Sequence, residues 1–169
     1  VSFPVEAPGG GKQDYGTPPE VYRFLDSLWA FDADAAAHSG NHQHRVYFGP
    51  GGVIEDALDP SQRWADHGRT FFLNWPYGRV ENPIWTTEAH RRAQVEKITV
   101  IGLCFGRYET EWWEDNVDGK AHFVLLLRPR IRFIGAASGA QVPSAAIAWL
   151  PGGDPAGTSY ATARWKARR

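Results

Sequence analysis

Cysteine is nearly missing: Cys104 is the only one in 169 residues, so no disulfide can close within the chain and a reducing cytoplasm is the expected setting. It lies in the apolar run ITVIGLCFG, where a buried structural thiol is expected in place of a reactive one. Methionine is absent even at position 1, which suggests trimming or excision from a longer chain. No apolar run approaches the roughly 20 residues that a bilayer-crossing helix needs, and Arg or Gly cuts the longest, so no membrane association is expected. The opening VSFPVEAPGGGK lacks a basic start followed by an apolar stretch, which argues against a secretory signal. An excess of one charge is missing too: 18 Lys/Arg against 19 Asp/Glu leave −1, and nothing global draws this chain to a polyanion. PGGG and GPGG do not complete the phosphate loop GxxxxGK[ST], and neither Ser39 nor Ser144 stands in GxSxG. His38, His42 and His44 in HSGNHQH have no clustered Cys beside them, so a solvated loop is expected and no metal site.

What is present is a folded globule: 43% hydrophobic and 14% aromatic residues are enough for one buried core. PGGGK ends a flexible lead-in over 1–12. PEVYRFLDSL spaces Val21, Phe24, Leu25 and Leu28 as a helix does, with Pro19 near its start. WAFDADAAA reads as a strand delivering carboxylates at its C-terminal end, and residues 38–69 as loops in which RVYF and GGVIEDAL form short strands or turns. RTFFLN and KITVIGLCFG read as buried strands, flanking a helix NPIWTTEAHRRAQVEK with Ile84, Trp85 and Ala89 on one side. A short helix ETEWWEDNV follows, with Trp112 and Trp113 as core or helix-face residues; then come one or two strands in AHFVLLLRPRIRFIG and a closing strand AAIAWL. Apolar strands separated by helices predict a single compact α/β domain over 13–150, its sheet mostly parallel with helices on both faces. PGGDPAGTS then breaks the fold before a basic tail, the two together spanning 151–169. Arg128, Arg130 and Arg132 alternate in RPRIRF and share one face if the segment is extended, as a solvated edge or as a phosphate-binding face.

In such sheets ligands bind beyond the C-terminal strand ends, and FFLN opens there into WPYGR. Asn74-Trp75-Pro76-Tyr77 has the parts for methylating a base amine. That nitrogen is a poor nucleophile because its lone pair is delocalised into the ring. Two acceptors on its hydrogens favour a pyramidal nitrogen, and the Asn74 side-chain carbonyl supplies one. The backbone carbonyl of Trp75 can supply the second, with Pro76 fixing the chain direction and the Tyr77 ring stacking on a flipped base. By itself, an NxPY turn is equally an ordinary strand-to-helix connection.

DYGTPPEVYRFLDSL resembles the cofactor motif of the gamma-ordered amino-methyltransferases, and FDADAAA resembles the Asp-x-Asp-x-Ala-Ala segment of phage-type (Dam-like) DNA N6-adenine methyltransferases. VYF, EDAL, Trp64, FFLNWPYGR and the strand leading through Arg and Thr to a Trp-bearing helix follow in that family's order, with RIRFIG and VPSAAIAWL as closing strands, over about residues 13–150. Trp75 departs from the usual Pro, and FGRY from the usual Pro after the fifth strand.

The resemblance implies a Rossmann-like, S-adenosylmethionine-dependent enzyme acting on N6 of a flipped adenine in double-stranded DNA. Its setting is the host cytoplasm if phage-encoded. Tyr15, Thr17 and Pro18 would lie against the cofactor, Asp32 or Asp34 near its ammonium, and Asp56 at its adenine or ribose. Asn74, Trp75, Pro76 and Tyr77 would be catalytic, and Arg79 would hold a DNA phosphate, as Arg128, Arg130 and Arg132 would on the second reading of their face. With no sizeable insertion for target recognition, a short site such as GATC or loose specificity is expected. The tetrad alone leaves cytosine N4, an RNA base or a protein glutamine open as acceptors, and a non-catalytic DNA- or partner-binding module as a further alternative. The oligomeric state is left open.

Overall fold

The computed structural model describes residues 15–136, 139–140 and 142–167; the expected lead-in over 1–12 and the last two residues of the basic tail lie outside them. Helix α1 (Pro19–Trp29) starts on two prolines, tolerated where the first N–H groups have no intrahelical partner. It buries Val21, Tyr22 and Leu25 and leaves Leu28 exposed. Strand β1 is only Ala33–Asp34, followed much later by β2 (Thr70–Leu73), α2 (Glu81–Glu96), β3 (Thr99–Phe105) and α3 (Glu111–Asn116). Three further strands are β4 (Phe123–Arg128), β5 (Ser144–Trp149) and β6 (Ser159–Arg164).

The six strands form one sheet in the order β1-β2-β3-β5-β4-β6. β1 with β2, β2 with β3, and β4 with β6 pair parallel, while β5 runs antiparallel to both β3 and β4. The sheet is therefore mixed. Every residue of β5 is buried, and burial on both faces, whichever way the strand runs, is what makes AAIAW read as a continuous apolar run. Side chains alternate between two apolar clusters. Phe71, Leu73, Val100 and Ile147 pack with Trp85, Ala89 and Ala93 of α2 and Trp113 of α3. Phe72, Ile101, Leu103 and Ala146 pack with Val21, Tyr22 and Leu25 of α1.

Three expectations need correction. Ile84 is 48% exposed, because the buried stripe of α2 runs through Trp85, Ala89, Arg92 and Ala93. RPRIRF is not a strand past Arg128, although Ile131 and Phe133 are buried and Arg130 and Arg132 exposed. The segment read as a basic tail contains β6, which takes the free edge of β4 in the register Phe123↔Ser159 to Arg128↔Arg164. Buried Arg92 ties the long 38–69 connection to α2: Nε donates to Glu88 Oε1 at 2.5 Å and Nη1 to Glu96 Oε1 at 2.6 Å, while the guanidinium also meets the carbonyls of Gln62 and Asp59. Paired on every side, the charge tolerates burial.

Candidate active site

Asn74 is the first residue past β2, and its amide is held from both ends. Nδ2 donates to the Tyr15 carbonyl (3.1 Å) and to Thr17 Oγ1 (2.9 Å). A carbonyl only accepts, so the Tyr15 contact fixes which end of the amide is nitrogen. Oδ1 accepts from the Tyr77 hydroxyl at 2.5 Å, and that hydroxyl also lies 3.1 Å from the Leu103 carbonyl. The Tyr77 ring packs 4.6 Å from Phe105 and 6.0 Å from Phe133, centroid to centroid. Burial pushes its phenol well above the usual value, so Tyr77 stays a neutral donor.

Trp75 turns the other way. Its indole is 1% exposed, joins the α2-side core and donates from Nε1 to Asn82 Oδ1 at 2.9 Å. Its ring occupies the space over Gly102 on β3, where an added Cβ would stand 2.7 Å from Trp75 Cζ3. The bulk that distinguishes this tetrad is thus absorbed by the core.

The N-terminal motif is fastened beside the tip. Gly16 exchanges backbone hydrogen bonds with Ile134 (3.1 and 2.8 Å), and buried Pro18 precedes α1, its carbonyl accepting from Val21 and Tyr22. Thr17 is 2% exposed, and its carbonyl accepts from Gln43 Nε2 at 3.0 Å. The Gln43 backbone N–H in turn donates to Asp34 Oδ2 at 3.0 Å. Asp34, Gln43, Thr17, Asn74 and Tyr77 therefore form one hydrogen-bonded chain across the C-terminal ends of β1 and β2. Asp34 is 3% exposed and no Lys or Arg among the described residues pairs with it. Burial pushes its carboxyl up to about 6, opposed by the N–H groups of Gln43 and Ala36 and by nearby His42.

Asp32 does not join this group. Its Oδ2 accepts from the N–H groups of Arg69 (2.6 Å) and Thr70 (3.0 Å), bracing the start of β2 at the opposite end from Asn74. Half-buried Asp56 caps a turn by accepting from Leu58 N–H at 3.0 Å. Arg79 is exposed two residues beyond Tyr77, and Arg128, Arg130 and Arg132 are exposed at and past the end of β4. Gln43 escapes sequence reading because it sits in a polar loop and the partners of its backbone N–H and side-chain amide lie 9 and 26 residues away. His42 stacks on Tyr47 at 4.4 Å, and among the described residues no three His, Cys, Asp or Glu gather as a metal-holding group. An apolar cavity of about 730 Å³ between α1 and β4–β6 is lined by Phe24, Leu28 and Phe123 and touches none of these site residues. No described helix is long and apolar enough to cross a membrane.

The family profile described as DNA N-6-adenine-methyltransferase (Dam) matches residues 7–148, which takes in Tyr15–Pro18, Asp34, the Asn74–Tyr77 tip and the Arg128–Arg132 segment and leaves β6 outside. No curated protein matches the chain. The match covers most of the sequence and every residue of the hydrogen-bonded chain described above, and so the protein belongs to the DNA N-6-adenine-methyltransferase (Dam) family, an enzyme that methylates N6 of adenine in DNA.

Proposed function

We propose that the methyl donor is S-adenosylmethionine and that the adenine is flipped from the duplex to meet Asn74. The observation that carries this reading is the orientation of the Asn74 amide. With Nδ2 anchored on Tyr15 and Thr17, Oδ1 faces the side from which Tyr77 approaches. One amine hydrogen of the base replaces the Tyr77 hydroxyl on Oδ1, and the Trp75 carbonyl takes the other. The freed Tyr77 ring, with Phe105 and Phe133 beside it, supplies an aromatic surface for the base. Positioning and preorganised acceptors suffice, since no strong base is required.

The fit to the cofactor rests on Asp34. A nearly buried carboxylate held only by backbone N–H groups, with its carboxyl pushed up to about 6, is completed by a cation, and the methionine ammonium is one. Tyr15, Thr17 and Pro18 are assigned to the same cofactor site, Thr17 being tied to Asp34 through Gln43. When bound, the sulfonium supplies an electrophilic methyl group. Asp56 is assigned to the adenosine end, and Asp32 to bracing the first two strands. Arg79 is assigned to a phosphate near the target, and Arg132 to the DNA face of the 128–132 segment. The two helix-bearing clusters on alternate strand residues support a Rossmann-like sheet covered on both faces.

The test is mass analysis of nucleosides after incubating unmethylated DNA with S-adenosylmethionine and the protein. N6-methyladenine is expected from the wild type. Asn74→Ala is expected to retain cofactor affinity by calorimetry and to lose methylation by about a hundredfold or more, the scale seen when a preorganised polar group is removed. Equal turnover by the two proteins refutes the assignment.

A further inference from the structure

β6 lies wholly outside the family-matched 7–148, yet it completes the sheet. Its register sets Arg164 beside Arg128. The chain then folds back on the segment after β4: Trp165 N–H donates to the Arg128 carbonyl (3.0 Å) and its Nε1 to the Pro129 carbonyl (2.6 Å). The Lys166 ammonium stands 5.9 Å from the Trp165 ring centroid. Arg128, Arg130, Arg164 and Lys166 are all exposed, and no carboxylate among the described residues forms an ion pair with them.

The near-zero net charge hides a division. Residues 119–169 contain eight Lys/Arg and one Asp/Glu, whereas residues 1–118 contain ten and eighteen. Charges that merely protect a sheet edge belong along the strand. Here Ser159–Ala163 carry none, and the cations gather at and beyond its end.

The sheet directs that end towards the Asn74 tip. β4 and β6 run the same way as β2, because β5 opposes both β3 and β4. The register Leu73–Gly102–Ile147–Val124–Tyr160 places Arg128 and Arg164 three residues farther along than Asn74. That is about 10 Å along the strands, with lateral offsets of about 14 and 19 Å at the usual strand spacing. The direct separations are then roughly 17 to 22 Å, about five to six base pairs at 3.4 Å each.

We infer that β6 adds a duplex-phosphate surface to this enzyme: Arg128, Arg130, Arg164 and Lys166 grip the DNA backbone about half a helical turn from the adenine presented to Asn74. Guanidinium groups match phosphate oxygens in pairs, and of these four side chains Arg164 alone borders the apolar cavity between α1 and β4–β6. The inference rests on DNA being the substrate, but its test is independent of turnover.

Fluorescence anisotropy of a labelled duplex of about 30 base pairs, over roughly 50–200 mM salt, measures the wild type and Arg128→Ala/Arg164→Ala/Lys166→Ala. The triple variant is expected to bind roughly ten- to a hundredfold more weakly, with a log–log salt slope shallower by about two to three. Arg128→Lys/Arg164→Lys, which keeps the charge, is expected to retain the slope. Cofactor affinity and the circular dichroism melt report that each variant is folded. Unchanged affinity and slope in the triple variant, or equal losses in the charge-keeping variant, overturn the inference. Methylation is read separately: a wild type that binds duplex with the expected slope but methylates no adenine leaves this surface standing and sinks the reading of the Asn74 site.

Discussion

Replacing Trp75 by Pro gives the tetrad its commoner family spelling, and the structure predicts that this harms the protein. The indole is 1% exposed in the larger cluster, and its Nε1–H is bound to Asn82. Removing a buried Trp costs about 3–5 kcal/mol through lost burial and the cavity left behind. At the 2–4 °C per kcal/mol typical of a chain this size, a loss of about 4 kcal/mol lowers Tm by roughly 8–16 °C. Gly102 supplies an internal control. A methyl group there meets Trp75 Cζ3 at 2.7 Å and Trp149 Cζ3 at 3.0 Å, so Gly102→Ala in the wild type is overpacked, by about 1–3 kcal/mol. With the indole gone most of that clash vanishes. The double-mutant cycle, read by urea denaturation of the four proteins, is therefore expected to show a favourable coupling of about 1–2 kcal/mol. A Pro variant within about 1 kcal/mol of the wild type, or a Gly102→Ala cost that is the same in both backgrounds, refutes the account of why this tetrad carries a tryptophan.

Tyr77→Phe keeps the ring between Phe105 and Phe133 but frees Asn74 Oδ1. Stability is expected to fall by about 1 kcal/mol while kcat/KM for DNA holds or rises up to about fivefold, and a tenfold drop in single-turnover rate would show that the hydroxyl itself takes part. Asp34 gives a pH signature. Its folded carboxyl sits at about 6 against an ordinary 3.8, so its contribution to stability is complete below about pH 4 and lost as pH rises through 6, about 3 kcal/mol across that window. Cofactor affinity runs the opposite way, weakening about tenfold per pH unit below 6 as the carboxylate protonates; Asp34→Asn is expected to flatten both profiles in calorimetry and denaturation.

The placement of the candidate site was legible in part because its segments are local. FFLN and ITVIGLCF are apolar enough to read as buried strands, and the Asn-x-Pro-Tyr turn stands at the end of the first. α1 followed from the spacing of Val21 and Leu25. What stayed hidden depends on partners distant in sequence. β6, SYATAR, turns only the small side chains of Ala161 and Ala163 to the core, and its strand state is imposed by the open edge of β4. Asp32 and Asp34 are equivalent in FDADAAA until the fold sets Asp32 on the start of β2 and Asp34 on the Gln43 loop. Arg92 sits among charged helix residues, and only the folded 38–69 connection reveals it as a buried anchor. Gly102 did carry a usable signal: glycine inside a buried strand marks a close approach, here by Trp75.

The pairing of β6 with β4 also bears on solubility. A polypeptide stopped at Leu150, close to where the family likeness ends, would leave the backbone amides and carbonyls along FVLLL open on one side. Such a ribbon is a template for joining a neighbouring molecule edge to edge and building fibrous or amorphous precipitate. SYATAR covers that edge and ends on the charged Arg164, so the appended strand doubles as a guard against self-association.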